Sequence, residues 1–83
     1  MAYADITKQI RKVLEDDKRT YEVYKDINLP NIYYITIEGD WYHDHHYVDH
    51  LVEQKCGLRR IGEKDVKPSE EDFYESTHIY ILC

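Results

Sequence analysis

One short stretch of this chain concentrates the side chains that do acid–base and metal chemistry. Residues 38–51 hold His43, His45, His46 and His50, four of the five histidines, with Trp41, Asp40, Asp44 and Asp49 among them. Histidine beside carboxylate can hold or pass a proton near neutral pH. Two histidines four residues apart on a helix can chelate a divalent ion such as zinc. His46 and His50 have the second spacing. His45, joined by His78 from the end of the chain and by Asp40 or Asp44, is the candidate for an acid–base cluster or for an anion site at a helix N-terminus.

On a helical wheel at about 100° per residue, Trp41, Asp44, His45, Val48, Leu51, Val52 and Cys56 share one side, while His43, His46 and His50 fall on the other. The second group points to solvent if the apolar side packs inward. His43 lies about 10 Å along the axis from His50, too far to complete a site with His46, and Glu53 is the nearest local ligand to add. Tyr47 follows His46 where a zinc protease would need glutamate, so zinc hydrolysis is disfavoured. Exposed polar histidines, and a His45 that merely fixes a helix on its sheet, are the plainer readings.

Other catalytic signatures are missing. Cys56 sits beside Gly57 at a helix end, Cys83 is terminal, and no serine occupies a Gly-x-Ser-x-Gly elbow. With only Gly39, Gly57 and Gly62 in the chain, no glycine-rich phosphate loop is present. The sequence leans away from an enzyme, and no cofactor is expected unless the histidine pair takes a metal.

The elements that must position these groups can be read from periodicity. Ile6, Ile10, Val13 and Leu14 place an amphipathic helix over 5–17 that ends near Glu15, because Asp16 and Asp17 oppose the helix dipole, with a polar connector over 16–19. Residues 20–27 and 31–38 predict two strands joined at Leu29-Pro30-Asn31, the second burying Tyr33, Ile35 and Ile37. Gly39 and Asp40 make a turn and cap that open a helix running to Cys56, where Gly57 is the left-handed stop. Residues 58–67 form an edge strand, Ser69 caps a short helix to about Ser76, and 77–83 is a last strand with a paired C-terminus. The expected order is α-β-β-α-β-(α)-β: one α+β domain spanning 1–83, two helices on one face of a mainly antiparallel sheet.

Composition then limits function. With 42% hydrophobic and 13% aromatic residues, nine of them tyrosines, the 83-residue chain should fold around a thin core. A net charge of −6 repels nucleic acid and anionic membrane surfaces. Glu63, Asp65, Glu70, Glu71, Asp72 and Glu75, offset only by Lys64 and Lys67, concentrate the negative charge. No apolar run nears the length of a membrane span, and two cysteines without a paired motif suggest a cytoplasmic setting.

The leading expectation is therefore a small regulatory module acting by protein contact. Its surface would be Glu70, Glu71, Asp72, Tyr74 and Glu75, and its partner a basic protein. In size and charge the chain is similar to small phage-encoded inhibitors that cover basic grooves of nucleic-acid-binding proteins, a likeness of composition in which no motif takes part. The alternatives are a metal or small-ligand site at 39–50, and a homo-oligomer in which the strand at 58–67 or the terminal strand pairs with its copy.

Overall fold

The computed structural model describes residues 5–15, 22–70 and 73–83, the side chains at 41, 42, 69 and 70 excepted. The connector expected at 16–19, the start of the first strand at 20–21, the side chain of Trp41, and Glu71 and Asp72 lie outside the described residues. Among the described residues, two α-helices and a four-stranded antiparallel sheet make an α+β fold. Its elements are α1 (Thr7–Leu14), β1 (Glu22–Lys25), β2 (Ile32–Asp40), a π-helical turn (Trp41–His45), α2 (His46–Cys56), β3 (Leu58–Glu70) and β4 (Phe73–Leu82). Among the described residues, no helix is long and apolar enough to cross a membrane.

Helix α1 starts where Asp5 Oδ1 accepts the Thr7 backbone N–H at 2.9 Å and its hydroxyl at 2.6 Å. It turns Ile10 and Leu14, four apart, into the core. Strand β2 buries Tyr33, Ile35 and Ile37 completely, the face that alternation predicted. Helix α2 buries Val48, Val52 and Cys56 against the same core, and Gly57, at φ 68°, ends it in the left-handed conformation expected of it. Full burial of an aliphatic side chain contributes about 1.5–3 kcal/mol. Ile10, Ile35, Ile37, Val48 and Val52, all 0% exposed, therefore anchor the helices to the sheet.

The strands lie in the order β1-β2-β4-β3, each pair antiparallel. The C-terminal strand is thus central and has no open edge to offer a second copy, which corrects one of the two strands named for such pairing. The edges are β1 and β3. Strand β3 carries register shifts at Arg60/Gly62, Lys64/Lys67 and Pro68/Glu70, with Asp65 at φ 54° inside the second. Bulges, lysines and a proline are the usual protections of an exposed edge.

Two boundaries differ from expectation. The helix expected at 69–76 is absent: β3 continues to Glu70, and β4 begins at Phe73, its partner across the hairpin. Pro68-Ser69-Glu70-Glu71-Asp72 has the composition of a helix start, but helix propensities are worth only tenths of a kcal/mol per residue. Strand β4 is hydrogen-bonded to β2 as far as Asp40↔Phe73, and this ladder holds the segment extended. The same ladder keeps Gly39 and Asp40 in β2, so the helix expected from Asp40 begins instead as the π turn and becomes α-helical at His46.

Candidate functional site

The sequence on α2 carries two parallel stripes. Val48, Val52 and Cys56 are apolar, and beside them His45 and Asp49, also four apart, face inward as well. They meet the core side of β4, where residues two apart share a face. Ser76, His78 and Tyr80 stand there opposite Ile37, Ile35 and Tyr33 of β2. The polar stripe of the helix thus lies on a polar row of the central strand.

A continuous hydrogen-bonded chain results. His45 Nε2–H donates to the Tyr74 carbonyl at 2.9 Å, and His45 Nδ1 lies 2.9 Å from His78 Nε2. His78 Nδ1 is 2.7 Å from Asp49 Oδ1, which also accepts a short hydrogen bond from the Tyr80 hydroxyl. On the outer side Asp49 Oδ2 faces Arg60 Nε at 3.6 Å, and Arg60 donates to Glu63 Oε2 at 2.8 Å. The imidazole rings stack at 5.0 Å. His45 and His78 are 0% and 1% exposed.

Burial pushes the His45 imidazole below the usual histidine range, and His78 adds to the depression, against the pull of the Tyr74 and Gly39 carbonyls. Burial and then the Asp49 charge push the Tyr80 phenol far above its usual range, so it acts only as a donor. Ser76 is fully buried, and its hydroxyl has no hydrogen-bond partner among the described residues.

Of the four residues expected to converge, the structure brings together His45 and His78. Asp40 and Asp44 do different work: Asp44 Oδ2 accepts the Asp40 N–H at 2.6 Å, and Asp40 Oδ1 accepts the His43 N–H at 2.9 Å. They hold the turn that delivers His45 to the core, and Asp40 is the cap it was expected to be. The acid of the cluster is Asp49. Its signal was present in the sequence, one helical turn after His45, as was Tyr80 at strand spacing from His78. Arg60 carried no signal, because only the sheet register places it opposite Tyr80.

His43, His46 and His50 are exposed, as the wheel indicated. A groove of about 560 Å³ runs between α2 and β3, with His46, His50, Asp49, Glu53 and Arg60 among its lining residues. Among the described residues, no group of three or more histidine, cysteine, aspartate or glutamate side chains is placed to hold a metal ion. Both cysteines are free thiols, Cys56 buried and Cys83 exposed.

The third feature is the β3–β4 hairpin arm. Ile61, Val66, Phe73 and Tyr74 expose 50%, 49%, 40% and 37% of their surface along it, among the exposed Glu63 and Asp65 and the half-buried Glu75. Fold and site define an α+β protein with a buried histidine–carboxylate chain between α2 and β4, and an acidic hairpin that exposes apolar side chains. Compared with known proteins, the chain matches no family model, no curated protein and no solved structure.

Proposed function

We infer that the protein is a small cytoplasmic binding module that regulates a basic partner protein through its β3–β4 arm. The observation that carries this reading is the group of exposed apolar residues on the hairpin, Ile61, Val66, Phe73 and Tyr74, set in the most acidic part of the chain. Interfaces combine such apolar anchors with a charged rim, the first supplying affinity and the second steering encounter. A partner whose own function is to bind nucleic acid has the complementary charge, and occupation of its basic surface would make the module an inhibitor. Two unpaired thiols suit a reducing compartment.

Three baits test the reading: the parent protein, a Glu70→Ser/Glu71→Ser/Asp72→Ser variant and a Phe73→Ser/Tyr74→Ser variant. A basic protein retained from lysate by the parent, released by salt and lost from both variants is the expected result. With that partner purified, the charge variant lowers the association rate at low salt by at least about tenfold, while the aromatic variant acts mainly on dissociation. An identical set of captured proteins on all three baits overturns the assignment.

The groove between α2 and β3 favours a second reading, a small-ligand or metal site using His46 and His50. It requires stoichiometric zinc that survives dialysis and is lost in His46→Ala and His50→Ala. A protein that releases its zinc on dialysis, with an unchanged melting temperature, removes this reading.

A further inference from the structure

The helices cover one face of the sheet, where Val23, Tyr33, Ile35, Ile37 and Tyr80 join the core. Among the described residues, no element covers the other face. The solvated face of an antiparallel sheet is ordinarily polar. The middle of this one carries Ile32, Tyr34, Ile79 and Ile81, two from each central strand. Tyr24 of β1 stacks on Tyr34 with the ring centroids 5.0 Å apart and stays 40% exposed.

The strand registers arrange this face in rows that cross all four strands. Glu22, Thr36, Thr77 and Lys64 form one row, and Tyr24, Tyr34, Ile79 and Gly62 the next. In the third, Ile32, Ile81 and Arg59 pair in that order, and Asp26 joins at the β1 end, its N–H donating to the Ile32 carbonyl at 2.9 Å. Asp26 and Lys64 both reach Tyr34, the first accepting its hydroxyl at 2.5 Å and the second lying 4.5 Å from its ring centroid, so both charges stand on the outer face. The first and third rows thus run from an acid at the β1 edge to a base at the β3 edge. Among the described residues, neither Glu22 nor Arg59 has an ion-pair partner in its own chain. A further row, Glu38, Glu75 and Lys67, has no β1 member and bounds the patch.

The middle row ends in a residue that the protomer does not require to be glycine. Gly62 lies beside a register shift, but only Gly39 and Gly57 are the glycines at positive φ. A Cβ at position 62 would make one ordinary contact, 4.0 Å from Ile79 Cδ1. Glycine weakens a strand interior, and where the backbone does not demand it, it marks the close approach of another group.

We propose that a second copy of the chain packs on this open sheet face about a two-fold axis parallel to the strands, so that Tyr24 of each copy fills the space over Gly62 of the other. That axis exchanges β1 with β3 and β2 with β4 and keeps each row at its own level. It sets Glu22 over Lys64 of the other copy and Asp26 over Arg59, while the apolar middles close on each other. A two-fold axis across the strands would instead lay β1 on β1 and β3 on β3, bringing acid to acid and base to base. Charge therefore selects the first axis. Aligned sheets pack about 30° from exact alignment, an offset that the long side chains at the corners can follow.

The dimer does not depend on the arm reading. Because the axis runs along the strands, both β3–β4 hairpins project at the same end. Where the arm binds a basic partner, two arms engage together and avidity adds to each contact.

Sedimentation equilibrium tests the pairing. The parent is expected to have twice the mass of its chain at about 0.5 mM and to dissociate on dilution. Gly62→Val is expected to stay monomeric at that concentration. In dilute solution, where both are monomers, it should melt no lower than the parent, because valine suits a strand and meets nothing in its own chain. Glu22→Lys and Lys64→Glu should each weaken the dimer by at least about tenfold, and the double variant Glu22→Lys/Lys64→Glu should regain most of that loss. These charge variants keep the test decisive if Gly62→Val folds poorly.

A parent that is monomeric at about 1 mM, the weak limit of specific association, overturns the proposal. So does a dimer that Gly62→Val and Lys64→Glu leave intact, the result expected if the β1 or β3 edges pair instead. A double variant no tighter than the single ones overturns the exchange of β1 with β3. Partner capture by the arm variants is read separately, so either proposal can fail without the other.

Discussion

Asp49→Ala is expected to remove about 3–5 kcal/mol of folding stability, the usual consequence of deleting one member of a buried ion pair. The carboxylate is bonded to His78 Nδ1 and the Tyr80 hydroxyl and faces Arg60, so its loss leaves a buried imidazole and a buried phenol without their shared partner. A chain of 83 residues has about 4–12 kcal/mol in total at typical stability per residue. The loss is therefore a quarter of the total or more. Glu53→Ala, one turn further along α2 at an exposed position, is the control and should stay within about 0.5 kcal/mol of the parent. Urea unfolding followed by circular dichroism measures both. If the two variants unfold at the same urea concentration, Asp49 is not the keystone of the buried chain.

The contrast with Asp49→Asn isolates charge from shape. Asparagine fills the same volume and can donate to His78, so the helix keeps its seat on β4. The cost is the Tyr80 hydroxyl hydrogen, which must find another acceptor, about 1–3 kcal/mol when it does not. Asp49→Asn should thus destabilise the protein less than Asp49→Ala does. The difference between the two variants measures what the shape of the side chain contributes apart from its charge.

Much of this architecture could be read from the residues, because it depends on short-range pattern. The alternation of Tyr33, Ile35 and Ile37, the four-residue spacing of Val48, Val52 and Cys56, and Gly57 after the last helical turn are local signals, and each is realised. The failures lie where strand pairing overrides composition. Glu70 and the residues from Phe73 are extended because β4 is already bound to β2 over its whole length, a long-range fact that Pro68 and Ser69 do not express. The edge position of β3 also makes Pro68 harmless, since an edge proline leaves no ladder bond unmade when its nitrogen faces outward.

The site was half legible for the same reason. His45 was expected on the core side of its helix and His78 at the start of the last strand, within reach of it, and the two do meet. Asp44 was an attractive partner because it adjoins His45, yet neighbours on a helix point about 100° apart. Four residues on, Asp49 points with His45, and it forms the cluster. Arg60 enters through a register with Tyr80 that no spacing within the chain encodes.

Gly39→Ala should lower the melting temperature by about 10–25 °C, from a loss of about 2–4 kcal/mol in a domain of this size. A Cβ at this position would run into Asp44 Oδ2 and lie 2.7 Å from the Asp44 Cβ and Cγ, well inside contact distance. Asp44 cannot step aside freely, because it is buried and its Oδ2 holds the Asp40 N–H at 2.6 Å. If the carboxylate swings out, the turn loses a capping bond worth about 1 kcal/mol. If β2 shifts instead, overpacking costs about 1–3 kcal/mol. Either response moves the π turn that seats His45, so the His45–His78 contact is damaged from a distance. Asp44→Ala removes two of the three clashing atoms. It should therefore cost less in the Gly39→Ala background than in the parent, a coupling that a double-mutant cycle measures directly. Additive losses in that cycle would mean that the glycine is required for some reason other than the approach of Asp44.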